Sequence, residues 1–456
     1  MATTIAELTE QEDLETLREQ LEETGALDLA EELARLPADR MAVPFRLLAK
    51  DRALEVFEAL DPVHQQQLLD GLREERVREL FTEMDPDDRV RLLDEVPAKV
   101  AKRLQSGLPA SEREATATLL GYPAESAGRV MSPEYVSLRS SMSVADAMAK
   151  VRRTGEDAET VYTLPVTDDR RMLMGVVSLR DLVTAPASAR VRDLMRDDVH
   201  SVEVDVDQEE ASRLIQEAAL LALPVVDHEQ RLVGVITVDD AMEVLEREVT
   251  EDVSRAGGVE PLEQPYLSAG VLTLARKRAA WLLLLGVAAV LTVNVLGAFE
   301  DTLEQVVALA LFIPLLIDTG GNSGAQASTV VIRALSVGEV RFRDLPRVVG
   351  RELLVGVLLG AMLGAIAFPV VSFFFDPQFG AIIGLTLVAI VIWATLAGAA
   401  LPLLAARLGL DPAVLSAPII TTLVDATGLL IYFGIAVAVL SDELAAGAAA
   451  LLPFLG

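Results

Sequence analysis

The chain has 456 residues, a net charge of −30 and no cysteine; that length allows about three domains, and disulfides and thiolate metal sites are excluded. Hydrophobic residues make up 52% and charged residues 24%, so membrane-type and soluble material are joined in one polypeptide. Residues 271–456 carry 9 basic and 12 acidic side chains and residues 1–270 carry 30 and 57, which divides the charge into −3 and −27; so acidic a soluble half argues against nucleic acid, which needs basic patches, and for cations.

Residues 1–128 read as an all-α segment. Met1 leads into an acidic helical pattern rather than a signal peptide. Leu and Ala recur at three- and four-residue spacing with Glu, Asp and Arg between them. Leu36-Pro37, Asp61-Pro62, Asp85-Pro86 and Leu108-Pro109 fall 23 to 25 residues apart, each ahead of a helical run. Pro suits a first helical turn and Asp an N-cap, so stacked short helix pairs in a superhelix are predicted. Asp87, Asp88, Asp94 and Glu95 are candidate cation ligands there, with a solvated face as the alternative. The scattered histidines, His64, His200 and His228, form no zinc motif.

Residues 129–243 repeat internally. LPVTDDRRMLMGVVSLRDLV (Leu164–Val183) aligns with LPVVDHEQRLVGVITVDDAM (Leu223–Met242), shifted by 59. Each copy reads strand, acidic turn, glycine, strand, then a helix opened by Asp. A methionine (Met131, Met195), a β-rich stretch and a helix precede each copy. This α/β pattern resembles a tandem pair of CBS domains, of the cystathionine-β-synthase type. The resemblance implies dimerisation and an adenine nucleotide in the cleft between copies, ATP being the candidate. Arg180 and Asp181 match where that family places a ribose-binding Asp, whereas no aromatic base-stacking residue stands near Leu220.

Residues 244–270 read as an acidic connecting helix. Glu248 lies three residues from Glu251 and four from Asp252, so the three share a face and repel unless a cation neutralises them. Glu243 and Glu246 add to the same run.

Residues 271–456 hold five apolar spans, 279–299, 305–332, 353–375, 380–406 and 413–440, each long enough to cross a bilayer. Arg276, Lys277 and Arg278 precede the first; Arg341, Arg343, Arg347 and Arg351 separate the second from the third, and Arg407 follows the fourth. The positive-inside rule then puts the soluble half in the cytoplasm. In the second span Pro314 and the glycines at 320, 321 and 324 are expected to loosen the helix, and Asp318, Asn322, Ser323 and Gln326 make it polar. Close packing through small residues is the alternative for the glycines. The fifth span carries PIITTLVDATGLLIYF with a lone carboxylate, Asp425. A charge at that depth costs about 3 kcal/mol and usually faces a bundle interior or a watery path. Thr421, Thr422 and Thr427 surround it with oxygen, which suits a hard divalent cation; a structural Asp is the alternative.

Three stretches, GGNSGAQ in the second span, LVDATGLLIYF in the fifth and REVTEDVSRAGGVEP before the first, resemble the MgtE family of magnesium channels, and the order of segments matches as well. The resemblance implies a multi-domain membrane protein that imports Mg²⁺ as a homodimer embedded in lipid, its pore lined by the second and fifth spans. Carried over by position, Asp425 holds hydrated Mg²⁺ with Thr421 and Asn322 nearby. Asp240, Glu243, Glu248, Glu251 and Asp252 match the family's acidic gate and Asp411 its partner near the pore mouth; Asp87 and Asp88 join the sensor ligands from the acidic run of the helical segment, not from an aligned motif. Ala325 replaces a second Asn of some relatives, Asp318 has no assignment in the motif, and Arg91 falls where a carboxylate is expected. Mg²⁺ sheds water reluctantly and needs few carboxylates, whereas Ca²⁺ prefers six to eight oxygens. No nucleophile–base set or phosphate-cradling loop points to an enzyme. A membrane-anchored sensor that conducts nothing is the competing reading; an anion transporter conflicts with the negative intramembrane charges.

Overall fold

The structure is a computed structural model that describes residues 5, 8, 9, 14–262, 266, 269–412 and 417–451. The side chain of Glu95 and residues 413–416, where the fifth span was expected to begin, lie outside the described residues. Two compact units divide between Glu248 and Val249, within one continuous helix, Val238–Ala256.

The first unit opens with short helices. Ala38–Phe45, Pro62–Gly71, Pro86–Glu95 and Ala110–Leu120 begin 24 residues apart, as do Ala26–Ala34, Lys50–Glu58, Glu74–Glu83 and Ala98–Gly107. Along the first row each helix packs against its equivalent one repeat on, and in the second Ala26–Ala34 packs on Lys50–Glu58 and Glu74–Glu83 on Ala98–Gly107, which winds the pairs into the superhelix the proline spacing predicts. Leu33, Met41, Phe45, Phe57, Leu68 and Phe81 fill the core between the rows. Asp61 caps its helix, its carboxylate accepting from the backbone N–H groups of Val63 and His64 at 3.1 Å each. Asp85 occupies the same N-cap position without making that bond, and its carboxylate is turned to another use described below.

The duplicated segment forms two three-stranded sheets, β1 (Leu138–Arg139), β2 (Thr163–Thr167), β3 (Leu173–Ser178) and β4 (Val202–Glu203), β5 (Ala222–Val226), β6 (Leu232–Thr237). In each the first strand runs parallel to the second and the second antiparallel to the third, and the register shifts at equivalent places, Val166/Thr167 and Val225/Val226. The 59-residue offset extends to the tight turns, where Arg171 and Gln230 both adopt positive φ. The two methionines lock the copies crosswise. Met131, ahead of the first copy, packs on Gly234 of the second, and Met195 packs on Gly175 of the first; a Cβ at either glycine would come within 3.1 Å of the opposing sulfur. Val90 of the helical segment shares a buried cluster with Ile236 and Ala241 of the second copy, and Arg129 pairs with Asp94 at 2.6 Å.

In the second unit, five helices among the described residues are long and apolar enough to span a membrane: Val271–Ala298, Val307–Ser336, Phe342–Phe374, Pro377–Arg407 and Ala417–Leu440. The third span starts earlier than expected because Arg347 and Arg351 lie on its first helical turns. The expected loosening of the second span at its glycines is absent. The α-helix runs unbroken over Ile313–Ser336, Pro314 sits in its first turn, and the irregular 3₁₀ stretch, Val307–Phe312, precedes it. Proline costs nothing in a first turn, where its missing N–H has no partner to lose.

Candidate functional site

Three places gather the residues that the sequence singles out. Inside the membrane unit, the second, fourth and fifth spans close on one another through glycines. A Cβ on Gly398 would stand 2.3 Å from the Gly324 carbonyl oxygen, so the fourth and second spans touch backbone to backbone. A Cβ on Gly321 would stand 2.7 Å from Thr421 Cγ2 and 3.6 Å from Asp425 Oδ1. The glycines thus bring the second span against the carboxylate of the fifth. Asp425 is half-buried, and its Oδ1 is fully buried with no hydrogen-bond partner. Leaving such an acceptor unpaired costs about 1–3 kcal/mol, more when it is charged, and a cation removes that cost. Thr421 and Thr422 donate to the carbonyls of Ala417 and Pro418, at 2.8 and 2.9 Å, so their hydroxyl oxygens stay available only as acceptors. Thr427 accepts from Trp393 Nε1 at 2.7 Å. Asn322 follows Gly321 and is exposed; it lies on the face the protomer leaves uncovered.

The second place is where the helical segment meets the second sheet copy. Glu58, Asp85 and Asp88 bring carboxylate oxygens within 4.8 Å of one another. Asp87 is buried, and its Oδ1 has no hydrogen-bond partner. Burial, with the charges of Asp240 and Glu159 next in order, pushes the Asp87 carboxyl well above the usual range. Burial likewise raises Glu58 and Glu159 to about 8 and Asp240 to about 6. Arg91 enters this cluster from its own helix, pairing with Asp88 at 2.8 Å and with Glu243. Of these residues Asp87, Asp88, Asp240 and Glu243 were expected; Glu58, Asp85 and Glu159 were not. Asp85 read as a helix cap, and Glu58 and Glu159 belong to separate elements whose approach leaves no local signal. The donor set is oxygen-only, with an orphaned buried acceptor in its midst, and so fits a hard divalent cation.

The third place is the connecting helix. Glu248 accepts from Gln208 Nε2 at 2.9 Å. Glu251 and Asp411 both pair with Arg255, whose guanidinium stands between them. Asp252 is half-buried on the same helix. The structure joins Asp411 to this helix through Arg255, an arginine the sequence reading passed over. In the first sheet copy Ser178 and Asp181 cap the helix Leu179–Thr184, the Ser hydroxyl donating to Asp181 Oδ2 at 2.7 Å. Thr237 and Asp240 repeat that pair 59 residues on, so the expected ribose-binding Asp and the expected sensor Asp are equivalents in the two copies. Arg180 is exposed. Tyr162, which sequence reading missed, is 64% exposed and its carbonyl accepts the Leu179 N–H at 3.0 Å.

Comparison with known proteins covers nearly the whole chain. Residues 313–435 match a family described as a divalent cation transporter, residues 24–125 the MgtE intracellular N domain, and residues 127–188 and 191–247 CBS domains. The magnesium transporter MgtE of Thermus thermophilus is 40% identical over 96% of this chain and 98% of its own. That of Bacillus subtilis is 37% identical over 73% of this chain and 74% of its own. Among solved structures, the cytosolic domain of the Mg²⁺ channel MgtE in complex with ATP is 37% identical, with a TM-score of 0.51, over 54% of this chain and all of that one.

Proposed function

Because the chain belongs to the MgtE family of magnesium transporters, we propose that it is a Mg²⁺-selective channel in which Asp425 holds the permeating ion and cytoplasmic Mg²⁺ closes the path. It is a multi-pass membrane protein with cytoplasmic N-terminal segments. The observation that carries the permeation reading is the orphaned, buried Oδ1 of Asp425 beside Gly321. In a homodimer two such carboxylates face one path, with Thr421 and Asn322 offering oxygen to the ion's water shell. Mg²⁺ keeps several waters and needs only one or two carboxylates, which is what this site supplies.

Closure follows from the acidic interface. Without a divalent ion, Glu58, Asp85, Asp87, Asp88, Glu159, Asp240 and Glu243 crowd together with Arg91 and, beside Asp85, Arg89 as cations, and part of the set holds protons instead. Mg²⁺ replaces those protons and draws the helical segment onto the second sheet copy. The connecting helix, whose Glu251 shares Arg255 with Asp411, passes that change to the membrane unit. Moving the gate from mostly open to mostly closed requires about 5.5 kcal/mol of differential binding, so several weak sites act together. Arg180, Asp181 and the exposed ring of Tyr162 supply a ribose contact and a base-stacking surface for ATP. Calorimetry with ATP tests this; no heat at millimolar ATP removes the nucleotide role.

Flux of Mg²⁺ into proteoliposomes tests the central reading. Asp425→Asn should abolish flux while the protein elutes unchanged on size exclusion; wild-type flux from that variant overturns it. In inside-out patches, wild-type current should close as Mg²⁺ rises toward roughly 10 mM, about a hundredfold over a 0.1 mM site. Asp87→Asn with Asp240→Asn should shift that closure to higher Mg²⁺ without altering ion selectivity.

A further inference from the structure

We propose that Asp318 is a second acidic determinant of the permeation path, an outer carboxylate that captures hydrated divalent cations before they reach Asp425. The proposal rests on the pore reading above and adds to it a residue that the shared motifs leave without a role. The helix Ile313–Ser336 has two opposed faces. Gly320, Gly321, Gly324, Ala327, Ser328 and Val331 are buried, and the three glycines among them press on Ile390, Thr421 and Ile420 of the fourth and fifth spans. Asp318, Asn322, Gln326 and Thr329 follow one another at intervals of four, four and three, and all are exposed in the protomer; that spacing puts them on one face of the helix.

Lipid cannot cover such a face. A carboxylate inside the bilayer costs about 3 kcal/mol, and such groups turn to a water-filled cavity or to a partner. The basic residue of this helix, Arg333, lies fifteen residues away, about 22 Å along the axis, and offers no relief. The neighbouring hydroxyls are spent on their own backbone, Thr319 donating to the Leu315 carbonyl and Ser323 to that of Thr319, each at 2.7 Å. What remains outward is a column of carboxylate and amide groups, which belongs on an aqueous path.

The level of Asp318 along that path is fixed by Gly321, which packs beside Asp425. Asp318 precedes it by three residues, about 4.5 Å toward the helix N-terminus. The basic residues before the first span and after the second place that end on the outer side. An entering ion therefore passes Asp318 first. A divalent cation about 6 Å from one carboxylate in water-like surroundings gains roughly tenfold in occupancy. Because the group is exposed, this gain weakens with salt. Asp318 raises local cation concentration and leaves selection to Asp425.

Uptake into proteoliposomes at varied external Mg²⁺ is the test. Asp318→Asn should raise half-saturating Mg²⁺ roughly tenfold at low salt and keep the maximal rate, and the difference should collapse at 1 M inert salt. Asp318→Glu should behave as wild type. The chain contains no cysteine, so Asp318→Cys carries a lone thiol. An external, membrane-impermeant sulfonate reagent should restore the low half-saturation, and a trimethylammonium reagent should worsen it. Wild-type half-saturation in the neutral variants, or a thiol that external reagents do not reach, overturns the proposal. If the neutral variants do not assemble, Asp318→Glu carries the salt test, and a salt-independent half-saturation overturns it. Full flux in Asp425→Asn instead sinks the pore reading itself; a dead Asp425→Asn beside an unchanged Asp318→Asn sinks only the outer capture role.

Discussion

Single atoms decide how the membrane unit holds together. The absence of a Cβ at Gly398 allows the fourth span to lie on the Gly324 carbonyl, and a methyl group there would stand 2.3 Å from that oxygen. Neither partner is a flexible side chain, so the backbones must separate. Gly398→Ala should therefore destabilise by about 1–3 kcal/mol, the usual cost of overpacking. Gly434→Ala, with nothing within 4 Å of the added methyl, should stay within about 0.5 kcal/mol of wild type. Thermal unfolding in detergent compares the two, and equal losses would remove the close-packing account. Separating these spans also moves Gly321 from Asp425, so Gly398→Ala should lose Mg²⁺ flux before it loses expression.

At the level of elements, the connecting helix Val238–Ala256 is the piece whose chemistry differs most from its sequence pattern. Its acids read as a repelling row awaiting divalent ions. Glu251 instead meets Asp411 through Arg255, a tethered cation already present between two carboxylates. All three side chains are about one-third exposed, so the contact is partly screened and worth little by itself. Removing the guanidinium takes away the counter-charge that the two acids share. Arg255→Gln should then raise channel open probability in Mg²⁺-free solution and leave closure at saturating Mg²⁺ intact, since the ion takes the arginine's place. Single-channel recording decides it; unchanged Mg²⁺-free openings would mean that Arg255 does not hold the helix.

Over the whole molecule, the charge of −27 before the membrane acts through protonation. Glu58 and Glu159 are raised to about 8 and Asp240 to about 6 in the folded chain, chiefly by burial. An acid whose folded pKa lies above its unfolded value binds more protons when folded, so the contribution of these three to metal-free stability is greatest at low pH. It is lost as pH rises through about 6 to 8. On the sensor reading proposed above Mg²⁺ displaces these protons, so its apparent affinity should climb across the same window. Protection from protease by Mg²⁺, titrated at pH 6, 7 and 8, should show the half-protecting concentration falling at each step. A pH-independent value would mean that the buried acids are not the ligands.

Sequence alone determined the parts whose signal is local. Proline spacing set the 24-residue helix pairs, because a proline is tolerated at a helix start and penalised within. The 59-residue offset set both sheets down to their register shifts, because equal side chains impose equal alternation. Hydropathy set five spans, and the lone charge within the fifth singled out Asp425, because a bilayer penalises a carboxylate. Tertiary structure alone decided which distant groups meet. Asp85 looked like a helix cap, but its carboxylate joins Glu58 and Asp88, and Glu159 reaches the same cluster from another element. Arg91, which falls where a carboxylate was expected, and Arg255, which carried no signal, are counter-ions. The glycines of the second span could be read as breaks or as packing surfaces, and the fold makes them contact surfaces. Such meetings depend on how elements pack rather than on the propensities within each, and a close approach between residues far apart in the chain leaves no trace in the pattern of either.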